Sequence, residues 1–360
     1  MIRVAINGYG RIGRVAHRVI LQKHASEIEV VAINAGSSTD IKGWMYLLKY
    51  DTTYHTLNSK FKIQNSKLDE EEKTGILKDA IGYLIINDKK IPVFSQKDPA
   101  LLPWKDLNVD VVIESTGHFL TQEKLQSHLT AGAKKVVLSA PAKNGEVGTY
   151  VISVNDKNYK GETIINNASC TTNCIAPVAK IMVDNFGVEK AMMTTVHGYT
   201  SDQRLQDSGH KDYRRARAAA ENIVPTSTGA AIAASEAIPG LKGIFSGLAI
   251  RVPVSVGSLS DFTFLLKKNT TVEEINGIFR QEVQNPIYNG ILEITEDPIV
   301  SSDVIGNSHS SIVDLSLTQV VGGNMVKVIA WYDNEYGYAN RLVEEVIMIG
   351  SPAGEAGRQP

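Results

Sequence analysis

Residues 2–20 read IRVAINGYGRIGRVAHRVI, and this stretch decides the fold. The apolar run Ile2–Ile6 has the length of a buried strand, and three glycines, Gly8, Gly10 and Gly13, follow it at Gly-x-Gly-x-x-Gly spacing. Apolar residues then recur at helical intervals: Ile12, Ala16, Val19 and Ile20. The order of strand, glycine turn and helix predicts the opening of a dinucleotide-binding α/β domain.

The glycine turn suits the pyrophosphate of a dinucleotide. Without side chains at these positions, backbone N–H groups can approach the phosphates, and the helix start adds the positive end of its dipole. The turn also lies within a strand–helix–strand unit of about 30 residues, as the fingerprint requires. A tight turn without any ligand is the alternative reading, because such turns are common. The context favours NAD or NADP as the cofactor.

Further buried strands follow the turn. The apolar segments Glu29–Ile33, Asp110–Ile113 and Lys135–Leu138 alternate with helical patterns. This alternation predicts an α/β fold built on a Rossmann-type, doubly wound parallel sheet. Residues Asn65–Asp88 differ, since they are strongly charged with β-like runs around them. We expect them to form a surface excursion on an edge hairpin.

The pattern changes after Asn167. A helical pattern ends at Gly187, a residue typical of helix C-caps, and Pro177 fits that helix only near its first turn. Long alternating segments with few helices follow, which predicts a mostly antiparallel sheet in an α+β catalytic domain. The predicted boundaries are 1–169 for the cofactor domain, completed by a C-terminal helix at 336–350, then 170–335 for the catalytic domain, and 351–360 for a loose tail.

The bulk composition limits the classes of function. With 37 Lys and Arg against 39 Asp and Glu, the net charge of −2 provides no overall field for nucleic acid or an anionic membrane. The start MIRVAING lacks the pattern of a secretory leader, and no apolar run reaches the roughly 18 residues of a membrane span. We therefore expect a cytoplasmic enzyme without nucleic-acid or membrane partners.

The two cysteines, Cys170 and Cys174, lie four residues apart at the start of an amphipathic helix. A disulfide across one helical turn would be strained, so reduced thiols are expected, and nothing in the sequence predicts a metal site. Because the helix dipole favours a thiolate at the helix start, Cys170 is the candidate nucleophile. Cys174 is expected to pack as a small hydrophobic residue.

His197 ends a predicted strand and could serve as the base that activates the thiol. A lone histidine at a strand end is more often structural, so the catalytic reading depends on the cysteine motif. Hydroxyl and cationic side chains cluster in the second half of the chain without base-stacking aromatics, which suits phosphate oxygens. Part of the basic run 210–217 is also expected to be solvated or to form an intersubunit face.

The segment after the second strand bears on the choice of cofactor. An acidic residue normally accepts bonds from the adenosine 2′-hydroxyl there, but this chain has Asn34 and Ala35, and no carboxylate before Asp40. An aspartate would repel a 2′-phosphate, so Ala35 removes the main barrier to NADP. The alternative is a neutral change in an enzyme that still prefers NAD.

Six strings resemble those of phosphorylating glyceraldehyde-3-phosphate dehydrogenase, and the similarity extends from Ile2 to about Ile349. They are INGYGRIGR (6–14), ASCTTNCIAP (168–177), TTVHGYT (194–200), HKDYRRARAAAENIVPTSTGAA (210–231), LAIRVP (248–253) and WYDNEYGY (331–338). The resemblance implies a Rossmann domain, a catalytic domain with an S-shaped loop, and a homotetramer acting in glycolysis or gluconeogenesis. Its substrates would be glyceraldehyde 3-phosphate, inorganic phosphate and NAD or NADP, without a metal.

The resemblance also implies the roles of individual residues. Cys170 would be the nucleophile and His197 the base. Thr200 and Arg251 would contact the substrate phosphate. The inorganic phosphate would contact Ser169, Thr171, Arg215, Thr228 and Gly229. The predicted cofactor-binding residues are Asn7, Gly8, Gly10, Arg11, Ile12, Gly13, Asn34, Ala35, Ser37, Thr116, Gly117, Ser139, Asn334 and Tyr338.

Three departures from the family pattern stand out. Ala35 replaces the usual aspartate, and Ser208-Gly209 replaces a Leu-Pro pair that shapes the adenosine pocket from the neighbouring subunit. Both changes run in the direction of NADP-using or dual-specificity members. The third is the length of Asn65–Asp88, for which the sequence gives no functional account.

Three other functions are alternatives. Erythrose-4-phosphate dehydrogenase would use the same thiol with water as acyl acceptor, but the intact phosphate-site string argues against it. A Cys/His hydrolase leaves the glycine fingerprint unexplained. A non-catalytic nucleotide- or RNA-binding Rossmann protein is disfavoured by the near-zero net charge and by the full catalytic set.

Overall fold

The computed structural model describes residues 1–65, 75 and 77–351, which form two units. The first unit comprises Met1–Thr149, Tyr159–Asn167 and the chain from Ala339 onward. The second comprises Tyr150–Asn158, which the sequence prediction placed in the cofactor domain, and Ala168–Tyr338.

A nine-stranded sheet with helices forms the first unit. Its strands are β1 (Ile2–Asn7), β2 (Ile28–Asn34), β3 (Phe61–Asn65), β4 (Ala80–Ile86), β5 (Lys89–Phe94), β6 (Val111–Glu114), β7 (Lys135–Leu138), β8 (Gly148–Thr149) and β9 (Ile164–Asn166). Its helices include α1 (Arg11–Lys23), α2 (Ile41–Lys49) and α3 (Gln122–Thr130). The spatial order is β3-β4-β5-β2-β1-β6-β7-β9-β8, and the pairs are parallel except those of β3 with β4 and of β4 with β5.

The order of the strands reverses at β1. After β1 the chain places β2 on one side, whereas β6 pairs with β1 on the other. In doubly wound sheets a dinucleotide binds at the carboxyl ends of the strands on either side of such a reversal. The predicted doubly wound parallel sheet is therefore confirmed, and it locates the candidate cofactor crevice between the ends of β1 and β6.

The antiparallel strands β3 and β4 flank the charged excursion predicted from the sequence, and β3 lies at the edge of the sheet. Residues 66–74 and 76 of that excursion lie outside the described residues, as do residues 352–360 of the predicted tail.

The second unit contains an eight-stranded sheet. Its strands are β10 (Val188–Gly198), β11 (Val224–Ser227), β12 (Phe245–Val252), β13 (Ser258–Leu266), β14 (Leu292–Thr295), β15 (Ser311–Asp314), β16 (Gln319–Val321) and β17 (Met325–Tyr332). Its helices include α4 (Cys170–Phe186), α5 (Ala230–Ala237) and α6 (Val272–Glu282), and α7 (Tyr336–Gly350) begins here and continues in the first unit. All pairs are antiparallel except those of β10 with β12 and of β14 with β15, which confirms the mostly antiparallel sheet.

The core of the second unit lies between α4 and one face of this sheet. Along β13, buried and half-buried residues alternate strictly, as the two-residue period of a strand with one covered face requires. Phe262 and Phe264 on that covered face are wholly buried and pack in one cluster with Ile175 and Met182 of α4. This packing lays α4 over the covered face of the sheet.

The helix α4 corrects one expectation from the sequence. Pro177 is the eighth residue of α4, well beyond the first turn, where proline ordinarily disrupts a helix. The extensive burial of α4 compensates, because residues on most sides of the helix are covered. The helix ends at Phe186, and Gly187 follows with a φ of 67°, in agreement with the predicted C-cap. Among the described residues, no helix is long and apolar enough to cross a membrane.

Candidate active site

Cys170 is the first residue of α4, directly after its cap. The Oγ of Ser169 accepts a hydrogen bond of 3.1 Å from the backbone N–H of Thr172, as an N-cap serine does. Burial nevertheless raises the pKa of the Cys170 thiol, and the largest opposing effect is the positive charge of Arg251. The stabilisation of a thiolate expected at the helix start is therefore outweighed by burial.

His197 lies beside the cysteine, with its Nε2 at 3.4 Å from Cys170 Sγ. It comes one residue before the end of β10, which pairs with β12 and β13 on its two sides. The imidazole therefore belongs to an interior strand and is 2% exposed. The parallel register places His197 opposite Arg251 of β12.

Two groups compete for Nδ1 of His197. The carbonyl oxygen of Gly198 lies 2.6 Å from it, and Nη1 of Arg251 lies 2.8 Å from it and 3.1 Å from the same carbonyl oxygen. The carbonyl needs an Nδ1–H donor, whereas the guanidinium needs an Nδ1 lone pair, so the ring satisfies one neighbour at a time. Burial, followed by the Arg251 charge, lowers the pKa of His197 to about 3. The imidazole is therefore neutral at neutral pH.

A chain of buried hydroxyls runs beneath this pair. Thr195 Oγ1 donates to the carbonyl of Leu259 at 3.2 Å and lies 2.8 Å from the hydroxyl of Tyr332. Tyr332 therefore donates to Thr195 and accepts from Thr171 Oγ1 at 2.9 Å. The Tyr332 ring also stands edge-on to His197, with 6.0 Å between the ring centroids. Tyr332 thus supports both the first turn of α4 and the imidazole.

Arg215 is held along β11 by a set of acceptors. Its Nη1 donates to Asp202 at 2.6 Å, its Nε to Thr226 Oγ1 at 3.0 Å, and its Nη2 to the Ser227 carbonyl at 3.2 Å. The Arg215 charge also lowers the pKa of His197 and of Arg251, so the three side chains share one electrostatic environment.

The remaining predicted site residues of the second unit lie on its loops and helix starts. Thr228 and Gly229 precede α5, and the helix begins without a side-chain cap. The segment after β10 carries Thr200, whose backbone N–H donates to Gln203 Oε1 at 3.3 Å. Asn334 Oδ1 accepts from Ser258 Oγ at 2.8 Å, and the Tyr338 hydroxyl donates to the Ala168 carbonyl at 3.4 Å.

The glycine turn of the first unit has the shape that a dinucleotide requires. Gly8 has a φ of 92°, and a Cβ there would lie 2.6 Å from the backbone nitrogen of Thr116. A Cβ on Gly13 would lie 2.2 Å from the Gly8 carbonyl oxygen, whereas around Gly10 there is open space. Because Gly10 caps α1 without a side chain, the N–H groups of the first turn point toward that space. The residues present therefore fit a pyrophosphate.

Other predicted cofactor residues surround the turn. Arg11 forms an ion pair with Asp51, and its guanidinium lies over the ring of Tyr54. Ile12 follows Arg11 in the first turn of α1. Asn34 ends β2, and its Nδ2 donates to Asn7 Oδ1 at 2.6 Å at the end of β1. The ends of the neighbouring strands carry Thr116, Gly117 and Ser139.

Comparison with known proteins decides the family. The model of the NAD binding domain of glyceraldehyde 3-phosphate dehydrogenase matches residues 2–122, and the model of its C-terminal domain matches residues 169–334. The glyceraldehyde-3-phosphate dehydrogenase of Thermotoga maritima is 49% identical over 97% of this chain and 99% of its own. The corresponding protein of Mycolicibacterium smegmatis is 47% identical over 97% and 98%. Glyceraldehyde-3-phosphate dehydrogenase 2 of Synechocystis is 48% identical over 96% and 97%.

The chain belongs to the glyceraldehyde-3-phosphate dehydrogenase family.

In this member of the glyceraldehyde-3-phosphate dehydrogenase family, the ribose position carries no carboxylate. The backbone N–H of Ala35 donates to the Phe94 carbonyl at 2.9 Å, and Ser37 lies in the turn that follows. The first carboxylate after β2, Asp40, caps α2 by accepting from the backbone N–H of Gly43 at 2.8 Å. Asp40 is therefore engaged as the N-cap of α2 and does not replace the missing ribose acceptor.

Sequence reasoning missed several polar residues that hold the site of this glyceraldehyde-3-phosphate dehydrogenase relative. Tyr332 lies within the WYDNEYGY string, which was recognised as a whole, but nothing in the string separates it from its aromatic neighbours. Asp202 gives no sequence signal, because an aspartate in a loop is ordinarily solvated. Glu114 ends a buried strand, and a carboxylate at that position was a usable signal. Among the described residues, no group of three or more histidine, cysteine or acidic side chains could hold a metal ion.

Proposed function

We propose that the protein oxidises D-glyceraldehyde 3-phosphate with inorganic phosphate and NAD or NADP to 1,3-bisphosphoglycerate, through a thioester on Cys170. The observation that carries the proposal is the 3.4 Å contact between Cys170 Sγ and His197 Nε2, with the Arg251 guanidinium on the far side of the imidazole. A nucleophile, a base and a cation in one row are the elements of covalent acyl transfer on an anionic substrate. The family membership supports the same reaction.

Arg251 links substrate binding to activation of the thiol. While its Nη1 donates to His197 Nδ1, the proton of the neutral ring lies on Nε2, which then cannot accept the thiol proton. Arg251 Nε is buried and has no partner among the described residues, so this guanidinium has donor capacity for a substrate phosphate. When a phosphate draws Arg251 away, Nδ1–H donates to the Gly198 carbonyl, and Nε2 becomes the acceptor that faces Cys170 Sγ.

His197 takes the thiol proton, and the sulfur forms a bond to the aldehyde carbon, which gives a thiohemiacetal. Nε2–H of His197 and the backbone N–H of Cys170 stabilise its oxygen, as oxyanion donors do. The carbon becomes a thioester when its hydrogen leaves as hydride and the proton of its oxygen stays on His197. A bound NAD or NADP would supply the hydride acceptor.

Inorganic phosphate is proposed to attack the thioester and release the Cys170 thiolate. Thr228 and Gly229 stand at the start of α5, where Thr228 Oγ1 accepts from the Ala230 N–H at 3.2 Å, and the N–H groups of helix starts bind anions. Arg215 donates to the Ser227 carbonyl beside them, and Ser169 and Thr171 flank the cysteine. Phosphate at this position yields an acyl phosphate, whereas water would yield a free acid.

We further propose that NADP is accepted alongside or in preference to NAD. The support is the absence of a carboxylate at Ala35 and the use of Asp40 as a helix cap. A 2′-phosphate would therefore meet no like charge at the end of β2.

A homotetramer is proposed as the working assembly. Several large apolar residues of the second unit are strongly exposed, among them Tyr213 at 87% and Leu205 at 81%. Met192 and Leu248 add an exposed apolar patch on the outer face of adjacent strands β10 and β12. Burial of such a patch by other copies removes an aggregation hazard. Light scattering should give about four times the mass of one chain.

Turnover assays test the proposal. Formation of reduced cofactor should require inorganic phosphate and should be faster with glyceraldehyde 3-phosphate than with erythrose 4-phosphate. Cys170→Ser should abolish rapid turnover, whereas Cys174→Ser, one helical turn away, is the matched control and should retain it. Rapid turnover by Cys170→Ser would rule out the thioester. Oxidation that does not depend on phosphate and favours erythrose 4-phosphate would indicate an erythrose-4-phosphate dehydrogenase.

A further inference from the structure

A carboxylate with no assigned role lies at the end of β6. Glu114 is wholly buried, and each of its oxygens accepts two hydrogen bonds. Oε2 accepts from Asn7 Nδ2 at 2.5 Å and from His128 Nε2 at 3.0 Å. Oε1 accepts from the backbone N–H of Thr116 at 2.8 Å and from its hydroxyl at 2.5 Å. A buried carboxylate with both oxygens fully hydrogen-bonded holds its donor groups in fixed positions, and Glu114 is in this sense a carboxylate anchor.

The imidazole that donates to Glu114 is itself fixed. His128 of α3 is wholly buried, and its Nδ1 accepts from the indole N–H of Trp104 at 3.2 Å. Because the indole nitrogen can only donate, Nδ1 must carry a lone pair and Nε2 the proton. The wholly buried Trp104 thereby selects the tautomer that His128 needs in order to donate to Glu114. The ring of Phe94, edge-on at 6.3 Å, holds the indole.

These contacts converge on the reversal point of the sheet. Asn7 is the last residue of β1, and Thr116 comes two residues after the end of β6. The cofactor crevice is expected between these two strands. The turn at Gly8 packs so closely on the backbone of Thr116 that a single Cβ would not fit. A displacement of Thr116 would therefore move the glycine turn as well.

The adenosine side of the crevice has separate support. Asn34, at the end of β2, receives a bond of 2.9 Å from the backbone N–H of Gln96 and donates to the carbonyl of the same residue at 2.9 Å. This two-point attachment to Gln96 does not involve Glu114, although Asn34 Nδ2 also donates to Asn7 Oδ1 at 2.6 Å. The end of β2 therefore touches the contacts of Glu114 through Asn7 but keeps an attachment of its own, whereas Thr116 is held by Glu114 directly.

We propose that Trp104, His128 and Glu114 form a positioning relay that holds Thr116 and Asn7 in place for the nicotinamide half of the cofactor. The relay rests on the proposed use of the glycine turn as the dinucleotide site. A pyrophosphate on that turn and an adenosine at the end of β2 place the nicotinamide half on the β6 side. Loosening the relay should therefore weaken binding of the whole dinucleotide more than binding of AMP.

The first test replaces Trp104 by phenylalanine, which keeps an aromatic ring beside Phe94 and deletes only the N–H. Binding of AMP and of NADH or NADPH, whichever the wild type binds more tightly, is measured by calorimetry on the full protein. Trp104→Phe should raise the dissociation constant of the dinucleotide about tenfold, the usual effect of one lost buried hydrogen bond. The constant for AMP should stay within about twofold.

A control variant separates positioning from general loss of stability. Ile165→Val removes one methylene from a wholly buried residue of β9, three strands from β1, and should lower the melting temperature without changing either constant. The relay is wrong if Trp104→Phe leaves the dissociation constant of the dinucleotide unchanged. It is also wrong if Trp104→Phe and Ile165→Val both weaken the binding of AMP and of the dinucleotide in proportion to the loss in melting temperature of each variant.

A second pair of variants tests the proton donor directly. His128→Gln keeps an amide N–H that can reach Glu114, whereas His128→Leu offers similar volume without a donor. The leucine variant should bind the dinucleotide about tenfold more weakly, and glutamine should restore most of that loss. Equal binding by the two variants would overturn the relay. If the wild type binds no dinucleotide at all, the proposed function fails first and the relay falls with it.

Discussion

Two buried histidines should make the folded protein sensitive to acid. His17 and His197 are 0% and 2% exposed, and burial lowers the pKa of each to about 3. In the unfolded chain both imidazoles regain the ordinary value of about 6.5. Below pH 6.5 the unfolded chain therefore binds protons that the folded chain does not bind. The free energy of unfolding consequently falls as the pH falls from 6.5 toward 3.

The size of the effect follows from the distance between the two pKa values. At pH 5.0, which is 1.5 units below the unfolded value, each histidine removes about 2 kcal/mol of stability, and the pair about 4 kcal/mol. Since domains are stabilised by only about 5–15 kcal/mol, this loss should lower the urea midpoint substantially between pH 7.5 and pH 5.0. Above pH 7 the contribution of both groups is complete.

Replacement of His17 by glutamine isolates half of this effect. The hydroxyl of Tyr9 lies 2.7 Å from Nδ1 of His17, and a glutamine amide can keep a hydrogen bond to that hydroxyl without binding a proton. Urea unfolding of His17→Gln should therefore lose about 2 kcal/mol less than wild type between pH 7.5 and pH 5.0. His55→Asn changes an exposed imidazole at a positive φ that asparagine tolerates, and it should follow the wild type. An unchanged acid dependence in His17→Gln would refute the reasoning.

Three further predictions concern the sites. Ala35→Asp should lower the ratio of kcat/KM for NADP to that for NAD by about 10- to 100-fold, because the new carboxylate repels a 2′-phosphate; an unchanged ratio would contradict the reading of the ribose position. Gly8→Ala should cost stability as well as cofactor binding, since its Cβ would meet Thr116, whereas Gly10→Ala should keep the melting temperature and weaken the cofactor alone. Tyr332→Phe should cost about 1–3 kcal/mol of stability and lower kcat, since two buried threonines lose a partner. Calorimetry measures the stability and initial rates measure kcat, and a change in only one of the two quantities would contradict this prediction.

Local sequence patterns predicted the elements that carry the site. The first strand, the glycine turn and α1 are contiguous, so their order is written directly in residues 2–20. The start of α4 was equally accessible, because Ser169 is a typical cap and the apolar spacing begins at once behind it. Such features depend on interactions over only a few residues, which a periodicity argument captures.

The contacts that organise the site are long-range, and no local pattern encodes them. His197 and Arg251 are 54 residues apart and meet because β10 and β12 pair in one parallel register. Tyr332 reaches Thr171 across 161 residues, and Asn7 reaches Glu114 across 107. A shift of one residue in the register of β10 against β12 would turn either His197 or Arg251 to the opposite face of the sheet. Family resemblance could supply the roles of Arg251 and His197, but not the hydroxyl chain or the carboxylate anchor.

The position of Cys170 at a helix start was predicted correctly, but the stabilisation of its thiolate by the helix dipole was overestimated. The dipole at a helix start is worth a fraction of a kcal/mol to about 1 kcal/mol for an exposed group, whereas transfer of a thiolate out of water costs more. Burial therefore wins, and the pKa of Cys170 rises. A thiol that rests protonated needs a base at the moment of reaction. Under the proposed mechanism His197 is that base, and Arg251 at Nδ1 disfavours the tautomer whose Nε2 can accept the thiol proton. An anion that draws Arg251 away should therefore also activate the nucleophile.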